Sequence, residues 1–309
     1  MAFSPLVTYS GSSVNIGYHF TTMKDLLTQV KVLMKADASF SGINTWKRGV
    51  LPPVPAFPVI AVLPVLEIFP RIYAGGMYHV ERSVNIETWA YSLDSNQAIE
   101  SSMDWIEAVK EFIQANTKWG GQAIDTYLGK WSLGRQERFK TGFAQSCVLP
   151  ITVLSQEYYP SVTIETTQIE ASPKELLDTI IDTVNGYKTT TLAKVQRFYH
   201  GTVKGIPVLP AVGIVEDTEN MDHLWAGVES VNRAFQLFVW TKLVDQEGSL
   251  DWNLDLTEAL KNILQANRNF GGKCIDSNIG TIEYGTMQVE NSLLYDSTIR
   301  LSCQSKEEL

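Results

Sequence analysis

The sequence predicts an α+β fold made of two tandem copies of one domain. Each copy has the order α-β-β-α-β-β, with helices packed on a mainly antiparallel sheet. The first observation is an internal repeat: residues 104–134 align with residues 255–285 without a gap, and 13 of the 31 positions are identical. The second is that helical and strand-like apolar patterns recur in the same order in both halves. The third is the length of 309 residues, which suits two domains of roughly 150 residues. We place the first domain at residues 1–160 and the second at residues 161–309.

Each copy is predicted to open with an amphipathic helix and to continue with two strands. Leu26, Val30 and Leu33 share one helical face in the first copy, and Leu176 and Ile180 repeat part of that face in the second. The first strand is continuously apolar, and the second alternates between apolar and polar residues. These strands are placed at residues 57–63 and 84–90 in the first copy and at residues 206–214 and 235–241 in the second.

The remainder of each copy is predicted to form a second helix and two closing strands. An acidic N-cap residue, Asp104 or Asp255, begins the helix. A Gly-Gly pair at its carboxyl end is typical of a helix stop. The closing strands are placed at residues 124–133 and 143–154 and at residues 275–284 and 293–303. Residues 163–171, between the copies, are either a linker or an edge strand.

The composition is that of a globular protein, with 44% apolar and 19% charged residues and a net charge of −9. Proteins that bind nucleic-acid phosphates normally carry a surplus of Lys and Arg, so we expect no tight nucleic-acid binding. Cys147, Cys274 and Cys303 are too few and too scattered for a disulfide framework, which indicates a reducing compartment. The most apolar run, residues 50–66, contains five prolines. We therefore expect a soluble protein with no membrane contact and no signal peptide.

No residue pattern indicates catalysis, a cofactor or a metal. The four histidines lie away from one another and from the cysteines, so the spacing of zinc ligands is missing. Glycine motifs that bind nucleotides and the nucleophile-elbow motif are also missing. Glu107 with Lys110, and Glu258 with Lys261, form i,i+3 pairs that indicate solvent-exposed helix faces. We expect no enzyme activity and no catalytic, cofactor-binding or metal-binding residues.

A predicted loop and two tryptophans supply the candidate contacts with a partner. Residues 69–79, FPRIYAGGMYH, combine aromatic, imidazole and guanidinium groups, and the second copy has the acidic residues 216–223 instead. Tyr and Arg are favoured at protein interfaces, so Arg71, Tyr73 and Tyr78 are assigned to a partner contact, the alternative being an ordinary loop. Trp89 and Trp240 lie on the strand face opposite the core pattern and are either core residues of a second face or further interface anchors.

The first copy resembles the tail terminator, or tail completion, proteins of long-tailed bacteriophages in the order and the amino-acid sequences of four segments. These segments are residues 57–64, 82–92, 105–113 and 143–154. The likeness extends less clearly to the second copy. It implies a small α/β domain with a structural role. Members of that family form a ring, typically sixfold, that caps the finished tail tube and meets the head connector. The tandem duplication departs from the usual single-domain member.

The resemblance implies a virion protein at the head-proximal end of the tail, made in the host cytoplasm. Its implied partners are further copies of itself in a homo-oligomeric ring, the tail tube protein, and the head-tail connector or stopper protein. Six chains, a hexamer, are favoured over three because the two copies have diverged strongly. The alternatives are another neck or tail component of a phage or phage-like injection device, and a duplicated small-molecule-binding protein or enzyme with a site between the copies.

Overall fold

A computed structural model of the chain describes residues 8–9, 12–13, 22–49, 56–73, 77–158, 172–201, 208–225, 228–242, 246–289 and 292–308. These residues form four α-helices, an eleven-stranded sheet that is mostly antiparallel, and a separate two-stranded sheet. The α+β prediction is confirmed. The predicted boundary at residues 160 and 161 and the segment 163–171 lie outside the described residues.

The first half contains two helices and eight strands. In chain order they are β1 (Thr8–Tyr9), β2 (Ser12–Ser13), α1 (Met23–Ala36), β3 (Thr45–Arg48), β4 (Val59–Tyr73), β5 (Met77–Ser92), α2 (Ser95–Ala115), β6 (Asp125–Leu128), β7 (Ser132–Arg138) and β8 (Phe143–Tyr158). Short 3-10 turns at Ala38–Phe40 and Trp119–Gly121 follow α1 and α2.

The second half repeats most of this order. Its elements are α3 (Pro173–Gly186), β9 (Arg197–His200), β10 (Ala211–Trp225), β11 (Val228–Thr241), α4 (Gln246–Ala266), β12 (Asp276–Val289) and β13 (Ser292–Glu308). A 3-10 turn at Phe270–Gly272 follows α4, as the turn at Trp119–Gly121 follows α2.

Both halves contribute to the same sheet, whose strand order is β6-β8-β5-β4-β12-β13-β11-β10-β9. The contact between the halves is the antiparallel pairing of β4 with β12, in which residues 66–68 face residues 281–283. Strand β3 pairs in parallel with the start of β4, and β9 pairs in parallel with the start of β10. Strand β7 pairs with β8 beside β6. The halves are therefore joined through backbone hydrogen bonds as well as through side chains.

The second helix of each half begins earlier than predicted. Asp94 caps α2 by accepting hydrogen bonds from the backbone N–H groups of Asn96 and Gln97. The predicted cap, Asp104, is an exposed residue inside the helix. The helix continues upstream because Ala98 and Ser102 extend its buried face at i+4 spacing. In the same way, α4 begins at Gln246 rather than at Asp255.

Both of these helices end at an alanine followed by asparagine, before the predicted glycine stop. The Asn116 side chain donates to the carbonyl oxygen of Phe112, and Asn267 donates to that of Ile263. The Gly-Gly pairs lie in the 3-10 turns that follow, where Gly120 and its neighbour have positive φ angles of 67° and 89°. The asparagines satisfy carbonyl groups that the helix end leaves open, so the glycines shape the next turn instead.

The first two sheet strands of each half are longer than predicted and form a hairpin. Residues 69–73 and 77–79, which were predicted to form a loop, continue β4 and β5, and residues 74–76 at the tip lie outside the described residues. Residues 216–223 of the second half lie in β10 of the equivalent hairpin. The prediction that the second copy lacks a counterpart of this segment was wrong. Charged and aromatic residues in these strands obscured the strand pattern.

Local irregularities fall at corresponding positions of the two halves. A β-bulge interrupts the β4–β5 ladder at residues 64–66 and the β10–β11 ladder at residues 216–218. Trp119 and Phe270 both adopt a left-handed conformation, with φ angles of 46° and 43°, and both side chains are fully buried. Bulky residues rarely adopt this conformation, so its occurrence at both positions ties the two turns to the same local packing.

All four helices pack on one face of the sheet. Residues directly opposite in an antiparallel ladder share a face, and Glu67 of β4 is opposite both Arg82 of β5 and Ile282 of β12. The helix-bearing faces of the two halves are therefore continuous. Two apolar clusters fill this side: Ile86 and Ile106 belong to the first, which α1 and α2 cover, while α3 and α4 cover the second. The opposite face carries half-exposed or exposed residues, among them Leu63, Asn85, Leu154, Thr298 and Gln304.

Candidate functional site: the junction between the two halves

The residues assigned to a partner contact fall into two groups. Trp89 is buried, with 4% of its surface exposed, against Val59 and Ala144 on the sheet face opposite the helices. It is thus a core residue of a small second-face cluster in this chain. Trp240 is half-buried, and its ring is stacked on that of Phe238 with 5.5 Å between the ring centroids. The same ring covers Gly213, where an added Cβ atom would lie 2.8 Å from it. Of the two tryptophans, only Trp240 keeps a substantial solvent-exposed surface, and its contact with a partner stays a prediction.

The other three assigned residues lie on the β4–β5 hairpin. Arg71 and Tyr73 are on β4, and Tyr78 is on β5. Their side chains are outside the described part of the chain, so their assignment to a partner contact stays a prediction. In the backbone register of the hairpin, Arg71 is opposite His79, Tyr73 is opposite Met77, and Tyr78 is opposite Ile72.

The described residues contain no group of three or more His, Cys, Asp or Glu side chains placed to hold a metal ion. Over the same part of the chain, no helix combines the length and the hydropathy needed to cross a membrane. Cys147, Cys274 and Cys303 are buried free thiols.

A buried cluster of charged side chains lies instead at the junction of the halves. Arg82 of β5 and Lys261 of α4 are both fully buried, and they converge on Glu157 of β8. The Lys261 Nζ atom lies 3.1 Å from a Glu157 carboxylate oxygen, and Arg82 donates hydrogen bonds to Glu157 and to the Ser155 hydroxyl. Glu67 of β4 adds a second carboxylate 3.5 Å from the Arg82 Nε atom. Lys261 thus ties a helix of the second half to strands of the first.

Two further groups complete the cluster. Glu258 lies one helical turn before Lys261, with 2.7 Å between its carboxylate and the Lys261 Nζ atom. Tyr284 of β12 donates its hydroxyl to Glu67 at 3.0 Å. Three carboxylates therefore surround two cations, and the Phe69 ring lies 5.7 Å from the Lys261 Nζ atom. The prediction of a solvent-exposed face was wrong for Lys261, which the first half covers, whereas Glu258 is half-buried at the edge of the cluster.

The pKa values of these groups follow from burial and from their charged neighbours. Burial alone would raise the pKa of Glu157, but the positive charges of Lys261 and Arg82 outweigh it and hold that pKa below its usual range. Burial would lower the pKa of Lys261, and the carboxylates of Glu157 and Glu258 reverse this and raise it. Burial raises the pKa of Glu258, and the attraction of Lys261 offsets this only in part. Burial beside Glu67 also raises the pKa of Tyr284.

Surface ion pairs extend the junction along the helices. The Lys24 Nζ atom of α1 lies 2.8 Å from a carboxylate oxygen of Asp255 in α4. Arg48 of β3 lies 2.8 Å from the Asp251 carboxylate and also donates to the Thr28 hydroxyl at 2.9 Å. Exposed ion pairs contribute little stability individually. Here they fix how α4 lies against α1 and β3.

A cavity of about 250 Å³ lies beside the charged cluster, where β4 and β12 diverge. Its walls include Asn85, Asn253, Tyr284 and Asp296. Asn253 already donates to two backbone carbonyl oxygens of the second half, and burial raises the pKa of Asp296. Sites for drug-sized ligands usually have volumes of about 300–1,000 Å³ and several convergent polar groups, so this cavity is small for a ligand site.

The chain was compared with protein-family models and with the sequences of characterised proteins. Neither comparison gave a match. Function must therefore be inferred from the junction and from the open edges of the sheet.

The junction holds the two halves in a fixed register. Its charged groups are directed at one another. Sequence patterns did not identify this cluster, although one signal was present. Arg82 interrupts an otherwise apolar alternation of β5, as Arg233 does in β11. A charged residue on a core face requires a buried partner.

The Glu157 carboxylate should make stability depend on acid pH. Since its folded pKa lies below the ordinary glutamate value of about 4.3, its contribution is present above that value and is lost as pH falls through the folded pKa. Glu258, with a raised pKa, opposes this trend by taking up a proton earlier. We expect Glu157→Gln to cost about 3 kcal/mol at neutral pH and to flatten the acid limb of a plot of unfolding free energy against pH.

Denaturant unfolding at a series of pH values measures this limb. Glu107→Gln removes the exposed carboxylate of the Glu107–Lys110 pair in α2. This variant should keep the wild-type slope of unfolding free energy against pH. An acid limb in Glu157→Gln as steep as that of the wild-type protein would contradict the assignment of a charged Glu157.

Proposed function

We propose that the chain is a structural protein of a bacteriophage particle, a ring that caps the tail tube and joins the tail to the head connector. The observation that carries the proposal is the single sheet with two unlike open ends. One end is formed by β6 and β7, and the other by β9 and the outer edge of β10. Copies that associate through unlike surfaces form either closed rings or open filaments. The resemblance of residues 57–64, 82–92, 105–113 and 143–154 to tail terminator proteins favours the ring.

We further propose that the halves arose by tandem duplication and that each supplies one ring module. Support comes from the gapless alignment of residues 104–134 with residues 255–285, together with the matching bulges and left-handed turns. Fusion makes one module contact intramolecular, which raises its effective concentration. In this proposal, the buried charged cluster makes that contact specific.

The number of chains in the ring depends on how the modules lie. Divergence between the copies favoured six chains. The continuous sheet places the halves side by side in one layer, and this arrangement supports three chains that supply six modules. The proposed partners are the tail tube protein, the connector or stopper protein, and further copies of the chain, with the ring located at the head-proximal end of the tail in the virion.

The proposed role is not enzymatic and does not require tight binding to DNA. The net charge of −9 disfavours a grip on phosphates, as suits a ring through which DNA passes. The competing function, a small-molecule site between the halves, is supported only by the cavity of about 250 Å³. Another neck or tail component remains the nearest alternative within the structural class.

Particles assembled with a peptide-tagged chain test the proposal. We expect gold-labelled antibody to mark the junction of head and tail in electron micrographs. Removal of the gene should leave heads and tails that fail to join. Untagged particles serve as the labelling control. The absence of the chain from purified particles, or label only at the distal tail tip, would refute the proposed function.

A further inference from the structure

We infer that the chain associates with a second copy of itself by pairing the outer edge of β10 with the β6–β7 edge of the next chain, in the way that β4 pairs with β12 inside one chain. The inference rests on the proposed duplication and identifies the surfaces that form the ring. The internal junction serves as the template, because each of its parts has a counterpart at one of the two open ends of the sheet.

The strand register locates the two edges. Arg82 faces Glu67 in the β5–β4 ladder, and Arg233 faces Glu219 in the β11–β10 ladder. Residues 218–220 therefore correspond to residues 66–68, which β12 covers. Strand β9 reaches only residues 211–214 of β10, so among the described residues no strand covers 218–220. Within the part of the chain that the structure describes, this edge of β10 has no strand partner and can accept one.

The counterpart of the covering segment lies at the other end of the sheet. Residues 281–283 of β12 correspond to residues 130–132, which connect β6 with β7. Strand β7 is exposed along its whole length, and among the described residues its only strand partner is β8. In the proposed contact, residues 130–132 would pair with β10 of a second chain, as residues 281–283 pair with β4 inside one chain.

The ion pairs of the internal junction have counterparts of the same charge at the open ends. Lys24 and Asp255, which pair within the chain, correspond to Lys174 on α3 and Asp104 on α2. Both of these residues are exposed, and they lie in opposite halves. In the proposed contact, Lys174 of one chain meets Asp104 of the next. The residue types are identical to those of the internal pair.

A second internal pair follows the same rule. Arg48 and Asp251 correspond to His200 on β9 and Glu100 on α2, both exposed. A histidine that meets a carboxylate is the weaker equivalent of the Arg48 pair at neutral pH. Both sets of residues lie in the register of the internal pairs. The likeness between the internal and the proposed contact therefore extends from the backbone to the exposed side chains.

Residues of the buried cluster have counterparts in the second half as well. Arg233 reproduces Arg82, since it lies 3.4 Å from Glu219 and donates to Ser305 at 2.9 Å. Lys110 of α2 corresponds to Lys261 and now pairs with Glu107 at the surface. In the proposed contact, Lys110 would enter the cluster around Arg233 and Glu219 of the neighbouring chain.

Apolar side chains mark the same edge. Ile124, Tyr127 and Leu133, on or beside β6 and β7, are 41%, 55% and 52% exposed. Leu133 lies on the helix-bearing face, because it is opposite the buried Cys147 in the β7–β8 ladder. Leu133 corresponds to Tyr284, whose ring packs against both apolar clusters at the internal junction. The β6–β7 edge thus carries an apolar residue at the position that the internal junction buries.

Chemical cross-linking between chains tests the register directly. Lys174→Cys and Asp104→Cys, combined in one chain, place two thiols at the proposed contact, and the three native cysteines are buried. With a short bis-maleimide, we expect covalent oligomers whose largest closed member gives the number of chains in the ring. The matched pair Lys24→Cys with Asp255→Cys should cross-link within one chain only. Cross-links confined to single chains in the Lys174/Asp104 variant would overturn the inference.

Substitutions test the contact without cross-linker. Leu133→Asp should weaken self-association about tenfold or more, measured by sedimentation velocity across a concentration series. Leu93→Asp, at an exposed leucine in the connection before α2, should leave it unchanged. Lys174→Asp and Asp104→Lys should each weaken association, and the double variant should restore it.

These outcomes are separate from those that test the virion role. A protein that labels the head–tail junction but assembles normally with Leu133→Asp keeps the proposed function and loses this contact. A chain that cross-links as expected but is absent from particles keeps the contact and loses the proposed function. A wild-type chain that stays monomeric at every concentration and forms no intermolecular cross-link overturns the contact.

Discussion

Replacement of Lys261 by Met will lower the free energy of unfolding by about 3–5 kcal/mol, which is the usual cost of removing one member of a buried ion pair. Lys261 is fully buried and bonded to Glu157. Without it, Arg82 alone must offset the carboxylates of Glu67, Glu157 and Glu258. Methionine preserves most of the volume, so the loss reports on charge and not on packing. Urea unfolding followed by tryptophan fluorescence measures the change.

Lys110→Met is the matched control, because Lys110 occupies the corresponding position of α2 and pairs with Glu107 at the surface. We expect a change below about 1 kcal/mol in the unassembled chain, as for other exposed ion pairs. Equal losses of unfolding free energy at the two positions would mean that the burial of Lys261 at the junction contributes no additional stability.

Replacement of Trp119 by Ala will cost about 3–5 kcal/mol, as is typical for the loss of a large aromatic side chain from a core. Trp119 is fully buried. Its indole N–H donates to the Thr126 hydroxyl at 2.8 Å, and its ring lies 6.0 Å from that of Phe112. Truncation opens a cavity under the turn that follows α2 and leaves Thr126 without this donor. Thermal and denaturant unfolding measure the loss.

Trp119→Phe provides the comparison, because Phe270 fills the corresponding position with nearly the same backbone conformation. The ring remains and mainly the hydrogen bond is lost, at a net cost of about 1 kcal/mol. If the alanine variant were no less stable than the phenylalanine variant, the turn would not depend on this packing.

The helices and most strands were predictable because their signals are local. The apolar face of α1 at Leu26 and Val30 and the alternation of β5 at Val84 and Ile86 identify each element, although β5 begins well before the predicted strand. The start of α2 was misplaced because Asp104 resembles an N-cap residue. The actual cap is Asp94, whose carboxylate accepts a hydrogen bond from a backbone N–H group of the first helical turn. Element ends depend on such single hydrogen bonds, which periodicity does not encode.

The charged junction was not predictable, because its members come from five separate elements. Glu107–Lys110 and Glu258–Lys261 have the same residue types at the same spacing. They differ only in what covers them, and this is decided by the β4–β12 pairing far away in the sequence. The long β4–β5 hairpin was hidden for a related reason, since Glu67 and Arg82 compensate each other across the ladder instead of following an apolar pattern.

The burial of Lys261 against Glu157 has a consequence for how the chain unfolds. Each half supplies the counter-charge that the other half needs in order to keep its own polar atoms out of water. If either half opened alone, it would leave an uncompensated charge in the other, a state that costs several kcal/mol. For this reason we expect partly unfolded forms to be disfavoured and the two halves to unfold together. The buried Lys261 would then couple the stability of two halves that are already joined covalently.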